Sequence, residues 1–371
     1  MPVAWEKDYP AVARVLRNLT QDQIDAYESQ PSDFTDMPEP FGQWASQALG
    51  YSSWPELETN RPAIDGLKRP RRVPGRKWEQ VKHFTAAVIA HHPRKRSIWL
   101  DWCAGKGHLG RTLSELTASP VRCIESDLRL CQQGGELADR AGLEVEFVNA
   151  DVLETDLTDE FNVGGGVVAL HACGQLHMQL IVQAVRHSID FLAVAPCCYH
   201  RIAGQHYRPM SQAAQKLSLE FGKHHLRLVA FDEVVATQGR KNIRRREQAW
   251  RLGLDLMLRE ASGDDRYRSL GPVPRAWLTG SFESFCHKLA ERELLSMPTG
   301  FDAAKAERDG WQRLVTVRAL GLVRGLFRRP LESWLLLDRM LFLNESGYRV
   351  AGGTFCAPEV TPRNLMILAS R

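Results

Sequence analysis

Asp101-Trp102-Cys103-Ala104-Gly105-Lys106-Gly107-His108-Leu109-Gly110 closes a short apolar run at 97–102 and opens a helical pattern. The glycines spell G-x-G-x-x-G, the spacing in which a backbone without side chains approaches a ligand at a helix N-terminus. A nicotinamide dinucleotide fits that spacing, and Glu125, 20 residues after Gly105, stands where such folds place an acid on a ribose. Asp101, four residues before the first glycine, decides against it. A carboxylate there would repel a pyrophosphate, whereas it suits an ammonium group. S-adenosylmethionine carries that ammonium and no phosphate. Asp151 follows another apolar run, at 145–148, in a position to accept from an adenine amino group. Acids after the first three runs are a more specific signal than the glycines. The sequence therefore predicts an S-adenosylmethionine site built from Asp101, Cys103, Ala104, Gly105, Gly107, Glu125, Asp127, Asp151 and His171, with Glu125 or Asp127 on the ribose.

Working outward, apolar runs at 97–102, 121–124, 145–148, 167–170 and 191–195 alternate with helix-length stretches. That alternation predicts parallel βαβ units in a doubly wound sheet, whose ligands sit at the carboxyl ends of the strands. Upstream, Trp78, Val81, Phe84, Ala87 and Val88 fall at helical spacing, and His91-His92-Pro93 ends that helix. Downstream of 195 the pattern turns helical and basic until an amphipathic segment at 331–343, and two β-like runs close the chain at 348–355 and 364–369. A last helix and hairpin is how a methyltransferase-type sheet finishes, with its final strand antiparallel. The expected fold is α/β, a Rossmann-like class I methyltransferase sheet of seven strands. The expected divisions are an N-terminal helical region and basic linker (1–75), the core (76–204), a basic, mainly helical insertion between strands five and six (205–330), and a closing helix and hairpin (331–371).

At 371 residues, 44% hydrophobic and 25% charged, the composition excludes a disordered or collagen-like chain. No run approaches the roughly 18 apolar residues of a membrane span, and the first residues lack a basic and then apolar leader, so the expectation is a soluble, cytoplasmic protein. Its eight cysteines lack both zinc-ribbon spacing and a dense disulfide pattern, and are expected to be reduced. The net charge of +4 hides opposed segments. Residues 1–60 carry 10 acids against 3 bases, 61–96 carry 11 bases against 2 acids, and 201–330 carry 24 bases against 14 acids. The basic stretches 68–77 and 240–246 suit the phosphates of an RNA, with Trp78, Phe84, Tyr207 and Trp250 as possible base-stacking or core side chains. Nothing in the sequence fixes the oligomeric state.

Two further stretches are expected to border the transferable methyl: Val168-Ala169-Leu170-His171-Ala172-Cys173-Gly174 after strand four, and Val194-Ala195-Pro196-Cys197-Cys198-Tyr199-His200 after strand five. In one reading His171 or His200 takes a proton from the acceptor and Tyr199 shapes its pocket. In another, Cys173 and either Cys197 or Cys198 act as in cytosine-5 RNA methyltransferases, where a thiol attacks the pyrimidine. In a third, Cys173, Cys197, Cys198 and His200 hold zinc, against which stands the poor chelating spacing of adjacent cysteines. The plain alternative makes them buried thiols and satisfied loop histidines. The expectation taken forward has catalytic candidates His171, Cys173, Cys197, Cys198, Tyr199 and His200, and no metal.

Residues 101–109, His171-Ala172-Cys173-Gly174 and Cys197-Cys198-Tyr199-His200 together resemble the methyltransferase-like protein 25 family. They are also similar to the methyltransferase domains of the tRNA 2'-O-methylating enzyme Trm-thirteen and of the glutathione S-transferase C-terminal-domain-containing protein. Leu336-Leu337-Asp338-Arg339-Met340-Leu341-Phe342-Leu343 and Thr361-Pro362-Arg363-Asn364-Leu365 resemble that family's closing helix and strand. The resemblance spans 76–205 and 330–371. It implies a class I fold, S-adenosylmethionine binding and cofactor roles for Asp101, Gly105, Gly107 and the acid after strand two. Where the tRNA enzyme has further histidine and cysteine after its Cys-Cys pair, this chain has Tyr199-His200-Arg201. The function expected is therefore methylation from S-adenosylmethionine, with RNA as the acceptor. The alternatives are a protein side chain or small molecule as acceptor, or a non-catalytic binding module.

Overall fold

The five short apolar runs become the strands β1 Ile98–Trp102, β2 Val121–Glu125, β3 Val145–Asn149, β4 Gly165–Cys173 and β5 Phe191–Cys197, with β6 Arg349–Thr354 and β7 Leu365–Ser370 closing the chain. The central ones are buried on both faces, as parallel strands of such runs are, while β3 lies at an edge of the sheet. The computed structural model describes residues 4–29, 31–70, 73–92, 98–161, 165–230, 237–264, 266 and 268–371. Ser97 of the first apolar run, Pro93, and Arg71 and Arg72 of the basic linker fall outside them. The helices are α1 Pro10–Arg17, α2 Gln21–Ser29, α3 Phe41–Ser52, α4 Gly75–His91, α5 His108–Thr117, α6 Leu128–Asp139 and α7 Thr158–Phe161. They continue as α8 Gln175–Arg186, α9 Gln212–Gln215, α10 Lys223–Ala230, α11 Gln238–Ser262, α12 Phe282–Glu293, α13 Ala303–Leu326 and α14 Arg328–Glu345.

The chain forms two units, one of Gly50–Val235 with Arg328–Arg371, the other of Met1–Leu49 with Ala236–Phe327. The first holds a seven-stranded sheet in the order β3-β2-β1-β4-β5-β7-β6. Its pairs are parallel except those of β7, which runs antiparallel to both β5 and β6. This is the expected class I methyltransferase sheet. Alternation along the strands divides the core between the two faces, since successive side chains point to opposite sides. Leu100, Trp102, Ile124, Val167, Ala169, Leu192 and Val194 pack under α8 and α14. Trp99, Val121, Cys123, Val168 and Ala193 pack under α4 and α5 through Phe84, Ala87, Val88, Leu109 and Leu113.

The second unit joins the acidic N-terminal segment to most of the basic insertion, so the divisions expected at 75, 204 and 330 are replaced by a discontinuous one. Its long helices α11 and α13 approach so closely that a Cβ on Gly310 would lie 2.3 Å from the Ala249 carbonyl oxygen. The charge cancellation seen in the net total is partly spatial. Arg245 of α11 pairs with Asp25 of α2 at 2.6 Å, and Arg318 of α13 pairs with both Asp25 and Glu28.

Candidate cofactor cleft and thiol cluster

The β1–α5 turn passes through three left-handed residues, Cys103 (φ 58°), Gly105 (φ 61°) and Gly107 (φ 61°). The two glycines have different jobs. A Cβ on Gly107 would meet Phe147 Cζ at 2.6 Å and Cys123 Sγ at 3.2 Å, so this glycine is demanded by packing as well as by its backbone. Around Gly105 a Cβ would meet nothing within 4 Å. Gly105 therefore leaves an open face on the loop. The loop is pinned to the neighbouring strand by Ala104 N–H donating to the Ile124 carbonyl (2.9 Å) and by Gly105 N–H donating to Glu125 Oε2 (2.8 Å).

Glu125 sits at the end of β2 with its second oxygen accepting from Asp127 N–H at 3.0 Å. Asp127 Oδ1 caps α6 by accepting from Arg129 N–H at 2.8 Å. Of the two acids considered for a ribose, Glu125 touches the glycine loop and Asp127 is a helix cap. Asp151, exposed after β3, accepts from Leu153 N–H at 2.9 Å in a turn. Asp101 is only 2% exposed, and its Oδ2 accepts from Gly110 N–H at 2.9 Å in the first turns of α5. Burial pushes its carboxyl up to about 7, against the opposing pull of that hydrogen bond and of the Lys77 ammonium. Burial also raises the Cys103 thiol, to about 12.

The carboxyl ends of β4 and β5 differ from the loops expected there. Strand β4 runs on to Cys173 through an irregularity after Leu170, where His171 adopts φ 66°, and the register then sets Cys173 opposite Cys197. Cys173 and Cys197 thus end strands, their Sγ atoms 3.4 Å apart. Cys197 Sγ–H donates to the His171 carbonyl at 3.2 Å. Cys198 also takes a left-handed conformation (φ 44°), and the three Sγ atoms lie within 4.8 Å of one another. Hydrogen bonds from Cys173 and Cys197 hold the Cys198 thiol well below its ordinary pKa, while Cys197 is held high. The backbone turn at Cys198 brings the three thiols together despite the adjacent spacing of Cys197 and Cys198.

His171 is mostly buried, and burial lowers it to about 4, so it is a neutral imidazole. Its tautomer follows from its neighbour. Gln80 Nε2 donates to the Val360 carbonyl at 3.2 Å, which leaves Gln80 Oε1 to accept from His171 Nε2–H at 2.8 Å. The Nδ1 lone pair is the basic one. His200, whose Nδ1 is buried without a hydrogen-bond partner, is lowered from its ordinary value by burial. Tyr199 does not shape an open pocket: it is 1% exposed, packed with Ile202, Tyr207, Leu226, Val229 and Leu335. The Arg339 guanidinium lies 4.9 Å from its ring centroid.

The aromatic residues placed near the basic segments are core side chains. Trp78, Phe84, Tyr207 and Trp250 are 4%, 0%, 6% and 3% exposed and offer no face to a base. Within 240–246, Arg245 is paired with Asp25 and Arg246 donates to the Leu278 carbonyl at 2.9 Å, so these two are structural. Lys77, within the basic stretch 68–77, is exposed and lies close enough to Asp101, His108 and His171 to act on them electrostatically. Lys77 and Gln80 stand three apart on α4, beside the apolar stripe of Trp78, Val81 and Phe84. That i, i+3 polar pair at the edge of the stripe was the available signal for both.

Residues 76–205 match the model of a family described as a methyltransferase domain. The chain is 28% identical over 166 residues to the human glutathione S-transferase C-terminal domain-containing protein, covering 44% of this chain and 25% of that protein. It is 30% identical over 206 residues to the mouse protein of that name, covering 54% and 30%. The match thus spans between a quarter and a third of those relatives. Among solved structures, the Pyrococcus abyssi tRNA (uracil-54, C5)-methyltransferase in complex with S-adenosyl-L-homocysteine is 20% identical, with a TM-score of 0.26 over 32% of this chain and 28% of that one. A Salinibacter ruber RNA methyltransferase, also with S-adenosyl-L-homocysteine, is 13% identical, with a TM-score of 0.27 over 37% and 85%. The match to a methyltransferase domain thus covers residues 76–205, about a third of this chain.

Proposed function

We propose that this chain is an S-adenosylmethionine-dependent methyltransferase whose acceptor is RNA, tRNA or rRNA being the favoured substrates. The observation that carries the reading is the open, left-handed Gly105, held against Glu125 on the β1–α5 turn. A ligand can lie on that backbone, and the surrounding donors fit this one. Glu125 retains acceptor capacity for ribose hydroxyls and Asp151 for an adenine amino group. The zwitterionic head of an amino acid matches Asp101 for its ammonium and Lys77 for its carboxylate. When bound, S-adenosylmethionine supplies an electrophilic sulfonium methyl. The protein's contribution is to hold an acceptor atom in line with that group, since positioning alone removes much of a bimolecular barrier. His171, neutral and with Nδ1 unprotonated, accepts the acceptor's proton where one must leave, and His200 is the second candidate. The resemblance to the methyltransferase-like protein 25 family belongs to this reading.

Support for RNA comes from charge. The helical unit carries a groove of about 730 Å³ whose lining includes Arg313 and Arg324 beside Trp5, against one acid, Asp309; a third lining arginine, Arg17, is already paired with Glu6 at 2.7 Å. On α11 Arg240 is exposed and Lys241 half-buried. Cationic surface of this kind binds phosphates with affinity that falls steeply as salt rises. The test incubates purified protein with methyl-labelled S-adenosylmethionine and, in parallel, total RNA and total protein, with Asp101→Ala as the control. The expected result is Asp101-dependent label in RNA, weakening as salt rises. Label confined to protein would reassign the acceptor, and binding of the cofactor without any label would make the chain a non-catalytic module.

A further inference from the structure

The three thiols at the ends of β4 and β5 make a cluster that methyl transfer does not require. Cys173 Sγ and Cys197 Sγ are 3.4 Å apart, and all three Sγ atoms fall within 4.8 Å of one another. Around a tetrahedral zinc ion with Zn–S bonds of about 2.3 Å, sulfurs stand about 3.8 Å apart. The cluster already spans that distance. It is the only such group of three ligating side chains among the described residues.

The backbone is shaped to bring the thiols together. The irregularity after Leu170 sets Cys173 opposite Cys197. Cys198 holds φ 44°, a conformation that is costly for a residue with a Cβ and that persists where surroundings impose it. The loop is tied shut by Gly174 N–H donating to the Cys197 carbonyl (3.0 Å), Arg201 N–H to the Cys198 carbonyl (2.9 Å) and Gln175 N–H to the Arg201 carbonyl (2.7 Å). Gly174 is obligatory there, because a Cβ would lie 2.1 Å from the Arg201 oxygen. His200, two residues beyond Cys198, keeps a buried Nδ1 with no hydrogen-bond partner.

We propose that Cys173, Cys197 and Cys198 bind one zinc ion through three thiolates, the fourth position being taken by solvent. Binding releases to solvent the protons that Cys173 and Cys197 still carry and involves no redox change. The ion would clamp the ends of β4 and β5 beside the cleft. The inference stands apart from the proposed methyl transfer, because metal content is read without cofactor or acceptor.

The test purifies the full chain under reducing conditions, measures metal by elemental analysis, and then exchanges the ion for cobalt(II). The proposal expects one zinc per chain and a thiolate-to-cobalt charge-transfer band. Cys173→Ser, Cys197→Ser and Cys198→Ser should each weaken zinc binding at least about 100-fold, and Cys286→Ser, at a buried thiol in the other unit, should leave it intact. Chelation should lower the melting temperature of the wild type and not of Cys198→Ser. Circular dichroism checks that each variant folds, and the wild-type cobalt spectrum decides the matter if one does not. A wild type without stoichiometric metal after zinc is added, or a cobalt spectrum without the thiolate band, overturns the proposal.

Discussion

Gly105 and Gly107 share a φ of 61° but answer to different neighbours, and substitutions separate them. Gly105→Ala places a methyl in open space at the cost of the left-handed conformation, about 1–2 kcal/mol. It should weaken S-adenosylmethionine binding tenfold or more in a protein that still folds, measured by calorimetric titration. Gly107→Leu drives its side chain into Phe147 and Cys123, so lost binding there should accompany lost stability. Asp101 gives a pH signature. Its carboxyl is raised from 3.8 to about 7, so the native state holds the proton more tightly than the unfolded chain. The associated stability is complete below the unfolded value and is lost as pH rises through about 7. Asp101→Asn keeps an acceptor for Gly110 N–H and should gain stability relative to wild type between pH 4 and 7. Denaturant titrations across that range check this, and a pH-independent difference would contradict it. The sequence shows both glycines and all three acids. It does not show that Asp127 is spent as a cap, although its place before a helical run carried that signal.

At the scale of elements, β1, β2, β5 and β7 were readable because most of their residues are buried, whereas the outer strands β3 and β6 are largely half-buried or exposed and were readable from their place in the alternation. The extension of β4 was not. His171 in a left-handed conformation has no signature in residue type, and without it Cys173 would not face Cys197. Helix α4 contributes Gln80, whose amide fixes the His171 tautomer. Gln80→Leu removes that acceptor, which should cost about 1–3 kcal/mol and mix the tautomers. Nitrogen-15 spectra of labelled histidine would show a single Nε2–H form in wild type. Helix α14 holds the segment after β5 through side chains the sequence grouped only as an amphipathic helix. Arg339, fully buried, donates to His177 Nε2 at 2.9 Å and to the Tyr207 hydroxyl at 3.0 Å. Asp338 accepts from Tyr207 (2.6 Å) and from Ser211 N–H and Oγ–H. Arg339→Met should destabilise the sheet unit by about 3 kcal/mol in urea unfolding, because it strips partners from buried polar groups.

At the scale of the molecule, charge was the least readable property. The acids of 1–60 and the bases of 201–330 look like separate surfaces in sequence, yet Asp25 and Arg245, 220 positions apart, form an ion pair. Part of the basic excess is thus structural, and Arg313 and Arg324 on the helical groove are better placed for an anion than Arg245 is. The central claim remains cofactor binding on the open face of the glycine loop at Gly105. It is tested most directly by titrating S-adenosylmethionine into the full chain, wild type and Gly105→Val, with circular dichroism to show that both are folded. The account predicts one binding site in the wild type and none measurable in the folded variant. Equal affinity in the two, or no binding to the wild type, would contradict it.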